Sequence, residues 1–298
     1  MTAIPPSVVQ YVNDNSPYPA GLIGCRADSG QKSFKCCEYD IAIFCENTKS
    51  SLDRVITLKD ITLEFIPFFK LDESSYIHIQ DMIMIKDYDS FLVSSLLAKL
   101  REKKYAQLLQ SYGKKKIIDS LFLIEVIDKN LFRCPPLSSL WLKIAAYHFI
   151  EGILALHGIK SSPVHELEQI RGLDVKRPNI ASGINSALEC IGIERAGRSA
   201  ISRSLKVIRG INKLEFGSDL WLAKSQWLLS RGRVADCYHY IGKVAATYFS
   251  SKEEIFLRRY MRPIEILLDL TNDSQSNCKL HERLVKASKD ALGELTYD

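Results

Sequence analysis

The spacing of hydrophobic positions changes once along the chain. Between Ala20 and Ile85 the apolar residues come in short runs, rich in isoleucine and broken by polar turns, which predicts strands. Strands are expected over 20–25, 39–45, 54–59, 61–68 and 76–85. Lys59-Asp60 reads as a tight hairpin turn, and Asp72-Glu73-Ser74-Ser75 as the polar turn between the last two strands. Ahead of them, Ser7 to Asn13 predicts a short helix stopped by the breaker cluster Asn13-Asp14-Asn15-Ser16-Pro17.

After Tyr88 the spacing becomes helical, as in Phe91, Leu92, Ser95, Leu96, Lys99 and Leu100. Helices are expected over 88–112, 115–129, 137–157, 163–171, 179–191, 196–214, 218–230, 233–250, 252–270 and 278–293. A strand-rich front with a helical back predicts an α/β (or α+β) domain over 1–130 and an all-α helical bundle over 137–298. The boundary is expected at Leu131-Phe132-Arg133-Cys134-Pro135-Pro136, where the prolines stop a helix.

Within the front half, the pattern places acids where they are costly. Leu22-Ile23-Gly24 reads as a buried strand that breaks at a glycine into a turn. Glu38 and Asp40 are two residues apart at the mouth of the apolar run Ile41-Ala42-Ile43-Phe44, so a strand there points both the same way. Two carboxylates on one face repel each other unless a cation sits between them. Glu64 is a third acid, on the strand Ile61-Thr62-Leu63-Glu64-Phe65-Ile66, whose opposite face is Ile61, Leu63 and Phe65.

A glycine followed by a small polar residue, then an acid-x-acid strand, then a lone acid on a later strand resembles the nucleotidyltransferase superfamily. That superfamily includes antibiotic-adenylylating enzymes, CCA-adding enzymes and small prokaryotic nucleotidyltransferases. The resemblance covers roughly residues 5 to 90. Gly24-Cys25-Arg26-Ala27 looks like the family's glycine-serine turn, with Cys25 in the serine position. Glu38 and Asp40 look like its paired metal ligands, with Glu38 where aspartate is usual, and Glu64 looks like the third. The resemblance implies Mg2+ (or Mn2+) as cofactor, ATP or another nucleoside triphosphate as substrate, and transfer of a nucleoside monophosphate to a hydroxyl. The acceptor it allows is a small molecule, a protein side chain or an RNA end. Glu38, Asp40 and Glu64 would hold the metal, with Glu64 as ligand or base; Gly24, Cys25 and Arg26 would meet the phosphates. The apolar segment from Ile144 to Gly158, with the capped start at Ser161, loosely resembles the helical HEPN-type domains fused to small nucleotidyltransferases.

Composition changes this picture little. The 298 residues include 46% apolar and 25% charged, an ordinary globular mixture, and the net charge of +5 permits a polyanionic partner without demanding one. Eight cysteines show no CxxC pair, which suits reduced thiols in a cytoplasmic protein. Cys36, Cys37 and Cys45 match no common zinc spacing. The N-terminus lacks the basic-then-apolar pattern of a secretory signal. The longest apolar stretch, Leu137 to Leu156, is interrupted by Lys143, His148 and Glu151 and reads as a buried core helix, with no membrane partner expected. Nothing in the sequence fixes the oligomer, and a homodimer is compatible with it.

Rival readings remain. Cys25 beside Arg26 suits a reactive thiol, and His78 on a strand would reach the cleft. Arg233 and His239 form an Arg-x5-His spacing like the HEPN ribonuclease motif. Arg195, Arg198, Lys206, Arg209 and Lys213 share one helical face, which suits a phosphate backbone. The whole chain therefore also fits a catalytically weak nucleotide-binding or toxin–antitoxin-type interaction module, or an RNA-binding protein.

Overall fold

Ile41-Ala42-Ile43 run through the middle of a five-stranded sheet and are buried on both sides. The computed structural model describes residues 4–28, 37–45, 55–69, 73–87, 98, 105–130, 133–211 and 219–294. It divides into two units, Met1–Leu109 and Gln110–Asp298. The first carries helix α1 (Pro6–Asn15), strand β1 (Ala20–Ile23), a 3-10 turn (Gly24–Arg26), β2 (Tyr39–Phe44), β3 (Val55–Leu58), β4 (Ile61–Phe68), α2 (Glu73–Ile79) and β5 (Ile83–Lys86). Strand order is β3-β4-β2-β1-β5. β2 and β4 run parallel, while β1 with β2, β1 with β5, and β3 with β4 are antiparallel.

The alternation of β1 and β2 builds two cores, one on each face. On one, Val8 and Val12 of α1 pack against Leu22, Ile41, Ile43, Leu63 and Phe65. On the other, Ile23 and Ala42 pack with Ile79 and Met82, flanked by Phe44, Ile66 and Phe68. Each fully buried Ile or Leu contributes roughly 1.5–3 kcal/mol, which explains why β2 reads as a nearly continuous apolar run. The Lys59-Asp60 turn joins β3 to β4, with Leu58 opposite Ile61. Lys59 takes a positive φ of 57°, a conformation costing about 1–2 kcal/mol for a residue with a Cβ.

The segment expected as a strand over 76–85 is a helix followed by a strand. Tyr76-Ile77-His78-Ile79 alternates by chance, but Glu73-Ser74-Ser75 before it are helix-starting residues. α2 buries Ile77 and Ile79, and only Ile83–Lys86 pair as β5. Of the helix expected over 88–112, residues 88–97 and 99–104 lie outside the described residues.

The second unit is helical: α3 (Tyr105–Asn130, its first turn falling in the first unit), α4 (Pro135–Leu156), α5 (Glu166–Arg171), α6 (Pro178–Ile191), α7 (Arg198–Ile211), α8 (Asp219–Ser230), α9 (Val234–Ser250), α10 (Glu254–Arg259), α11 (Met261–Leu268) and α12 (Ser274–Glu294). The division between units thus falls inside α3, upstream of the prolines at 135–136. α4 is the centre, in contact with α6, α9, α11 and α12. It is long and apolar enough to cross a bilayer, yet most of its residues are buried by the other helices. Lys143 on α4 is buried with them, its ammonium donating to the carbonyls of Ile191 (2.7 Å) and Leu268 (2.5 Å), at the ends of α6 and α11. Those helix ends carry partial negative charge, which suits the cation.

Two helices expected over 88–112 and 115–129 are joined through Gly113. This glycine is a contact and not a break: a Cβ on it would lie 2.8 Å from the carbonyl oxygen of Gly152 on α4. The helix expected over 252–270 is two, α10 and α11, turning at Tyr260, with Pro263 in the first turn of α11 where its missing N–H is tolerated.

Candidate functional site

β2 and β4 lie in register, Asp40 beside Glu64. Neighbours directly opposite across a ladder project from the same face, and Glu38 precedes Asp40 by two residues. One carboxylate oxygen from each of Glu38, Asp40 and Glu64 lies within 4.8 Å of the others. Asp40 and Glu64 are half-buried, and Glu38 is 5% exposed. Two ionised carboxylates at that separation repel by roughly 3 kcal/mol at an effective dielectric near ~20. Oxygen donors gathered this closely fit a hard divalent cation, which would remove that repulsion. The sequence-expected triad is therefore one cluster, held by the parallel β2–β4 pairing.

β1 ends at Ile23, opposite Asp40. Gly24 then turns the chain with φ of 73°, and its carbonyl accepts from the N–H groups of Ala27 (3.1 Å) and Asp28 (3.2 Å). A Cβ on Gly24 would overlap Oδ2 of Asp40. Glycine is thus required twice here, by its backbone and by the carboxylate it touches. The sequence suggests close approach of this turn to a triphosphate; the close approach observed is to Asp40.

Arg26 braces the entry to β2. Its Nε donates to the carbonyls of Cys37 (3.0 Å) and Glu38 (3.1 Å), and Nη2 donates to Cys37 (2.6 Å). The guanidinium lies over the ring of Tyr39, 4.3 Å from its centroid. These contacts are to the chain itself and tie Arg26 to the backbone at Cys37 and Glu38. Nothing in the spacing of Arg26 from Glu38 signals this brace, because the two meet only through the β1–β2 register.

Cys25 is overturned as a reactive thiol. A hydrogen bond with the Cys37 thiol, then burial, then Asp40 and Glu38 drive its pKa far above the usual thiol range. Of the cysteines weighed for zinc, Cys36 lies outside the described residues, and Cys45 is buried in the sheet core, where burial raises its pKa. Cys37 instead meets Cys25. His78 is exposed on α2, not on a strand facing the carboxylates.

The helical unit holds a buried ionic cluster that the sequence did not single out. Lys243 on α9 reaches Glu151 (2.8 Å) and Glu166 (3.2 Å). Glu151 also pairs with Lys116 (3.2 Å) and accepts from the Tyr112 hydroxyl. Despite burial, these partners hold the Glu151 carboxyl well below the usual range. Ser161 donates to Glu166 (2.5 Å). Such a cluster is signalled only by charges on otherwise apolar faces of α4 and α9.

The same cluster rules out the ribonuclease reading of Arg233 and His239. His239 is 1% exposed, with Nε2 3.5 Å from Glu166, its ring edge-on to Tyr147, and burial lowers its pKa to about 3. A histidine that must touch RNA cannot sit there. Arg233 pairs with Glu168 (2.9 Å) and Asp236 (3.0 Å).

On α7, Ile201, Leu205 and Ile208 face inward, while Arg198, Lys206 and Arg209 are exposed. Arg195 precedes the helix and is tied to Asp269, through its carbonyl (3.1 Å) and carboxylate (3.5 Å), and to Glu194 (3.3 Å). Lys213 lies outside the described residues. Among the described residues, the exposed basic positions of that pattern on α7 are Arg198, Lys206 and Arg209.

No protein-family model and no curated protein matches the chain.

Proposed function

We propose that the chain is a metal-dependent nucleotidyltransferase that moves a nucleoside monophosphate, AMP from ATP in the first instance, to a hydroxyl acceptor. The observation that carries this reading is the cluster of Glu38, Asp40 and Glu64, with oxygens within 4.8 Å of each other, Asp40 and Glu64 on adjacent strands and Glu38 just ahead of β2. A divalent ion bound there would neutralise charge on the phosphate oxygens of the substrate. Glu38, just ahead of β2, and Asp40 on it would hold that ion, with Gly24 against Asp40 and Arg26 bonded to the Glu38 carbonyl. Glu64, half-buried and beside Asp40, would complete the site as a ligand or accept the proton of the attacking hydroxyl. The sheet core on either side keeps these carboxylates in one geometry.

A second reading is favoured by Arg26, whose guanidinium is taken up by backbone carbonyls and Tyr39. It is a nucleotide-binding or toxin–antitoxin-type interaction module that does not turn over.

A transfer assay with labelled ATP and a panel of hydroxyl acceptors separates the two. Glutamate is one methylene longer than aspartate, and magnesium tolerates little departure from octahedral geometry. Transfer by the wild type is expected to be faster with Mn2+ than with Mg2+, and Glu38→Asp is expected to raise the Mg2+ rate several-fold. Asp40→Asn is expected to abolish transfer with either metal. Transfer undiminished in Asp40→Asn defeats the proposal; no transfer in any variant, with ATP still bound, selects the second reading.

A further inference from the structure

Helix α3 buries one face of the helical unit, through Ile117, Ser120, Ile124 and Ile127. At about 100° per residue, the opposite face is Ser111, Lys115, Ile118, Phe122 and Glu125, and all five are exposed. Ile118 is 45% exposed and Phe122, one turn further on, is 70% exposed, although both are large apolar side chains. Lone exposed apolar residues are ordinary, but two stacked on one helix face form a patch. The steps along the face are 4, 3, 4 and 3 residues, the spacing of a seam between two helices.

The order of residues along that seam selects its occupant. Ile118 and Phe122 lie equally far on either side of position 120, and so do Lys115 and Glu125. We propose that this face docks a second copy of the chain, the two α3 helices packing antiparallel about a two-fold axis at position 120. Ile118 then meets the partner's Phe122 and Lys115 meets the partner's Glu125, each contact being made twice by symmetry. A parallel pair would instead set lysine against lysine and glutamate against glutamate, and like charges facing each other disfavour it. Within one chain Lys115 and Glu125 are about 15 Å apart along the helix axis, too far to pair with each other. An unrelated partner would give no reason for this symmetry of charge and apolar surface. A single helix-to-helix contact is at the small end of specific interfaces, so the dimer is reversible and follows concentration. It stands whether or not the carboxylate cluster serves nucleotidyl transfer, because residues 115–125 belong to the helical unit.

Sedimentation velocity of the full chain over about 1–100 μM tests the face. The wild type is expected to move from monomer toward dimer as concentration rises. Phe122→Glu changes an exposed side chain, so its circular dichroism is expected to match the wild type while it stays monomeric throughout. Lys115→Glu and Glu125→Lys, each alone, bring like charges together twice and are expected to weaken the dimer about fivefold or more. Both substitutions on one chain restore opposite charges across the axis and are expected to return the wild-type affinity, a rescue that general charge effects do not produce. A wild type that is monomeric throughout gives the face to another occupant and overturns the proposal. A dimer that persists in Phe122→Glu, or a double variant no tighter than the single ones, overturns it equally.

Discussion

Gly24 is the residue on which most of the first unit's geometry converges. With φ of 73° and the Asp40 carboxylate where a Cβ would go, any side chain strains the backbone and displaces Asp40. Gly24→Ala is expected to lower stability by about 1–2 kcal/mol from the backbone alone, measured by urea denaturation. It is also expected to weaken divalent-ion binding more than tenfold. Unchanged ion affinity in that variant would show that Asp40 is not positioned by the turn. The glycine was legible in the sequence as the end of a strand, and so were the three acids. What it touches was not, because Gly24 and Asp40 meet only once β1 and β2 pair. That Cys25 and Cys37 meet was hidden for the same reason: spacing in sequence registers neighbours along the chain, not partners across a register.

At the scale of elements, the strands with continuous apolar runs were legible and the short mixed segment was not. β4 spans Ile61–Phe68 as expected, since Ile61-Thr62-Leu63-Glu64-Phe65 alternate and the apolar run continues through Ile66. The segment after Asp72 is short enough for helix and strand patterns to coincide, and three-dimensional burial of Ile77 and Ile79 decides for the helix. Gly113, in the gap between the helices expected over 88–112 and 115–129, lies inside one helix at a close approach to another. Gly113→Ala places a Cβ 2.8 Å from the Gly152 carbonyl oxygen, so the backbones must move apart. A loss of about 1–3 kcal/mol is expected, although alanine is the better helix former. Gly210→Ala on α7, where a Cβ would meet nothing within 4 Å, is expected to gain up to about 1 kcal/mol. Thermal melts of the two variants moving in the same direction would contradict this account of the α3–α4 contact.

For the whole molecule, the fold class was legible as a sheet-bearing front and a helical back because hydrophobic period reports it directly. The buried charges of the helical unit were not, since a lysine or glutamate in an apolar face is visible in sequence but its partner is not. They give the molecule a pH dependence. Burial, then Lys243 and Arg171, lowers His239 to about 3; burial, then Lys116, lowers His148 to about 4. Both fall below the unfolded value of about 6.5, so the unfolded chain binds the extra protons as pH drops. Stability is expected to be fully present above pH ~6.5 and to fall toward pH ~4, by up to roughly 2.7 kcal/mol per pH unit where both histidines contribute. Glu166, whose pKa burial raises, offsets part of that loss. Denaturation midpoints that stay flat between pH 6.5 and 4 would contradict the neutral, buried state of these histidines.

The central claim is that Glu38, Asp40 and Glu64 act together on a metal-bound nucleotide. Calorimetric titration of ATP into the full chain, with Mg2+ and with the chelator EDTA, tests it most directly. The wild type is expected to bind ATP at least tenfold more tightly with the metal, and Asp40→Asn and Glu64→Gln, folded by circular dichroism, are expected to lose that difference. ATP affinity equal with and without the metal, or a metal effect preserved in both variants, would contradict it.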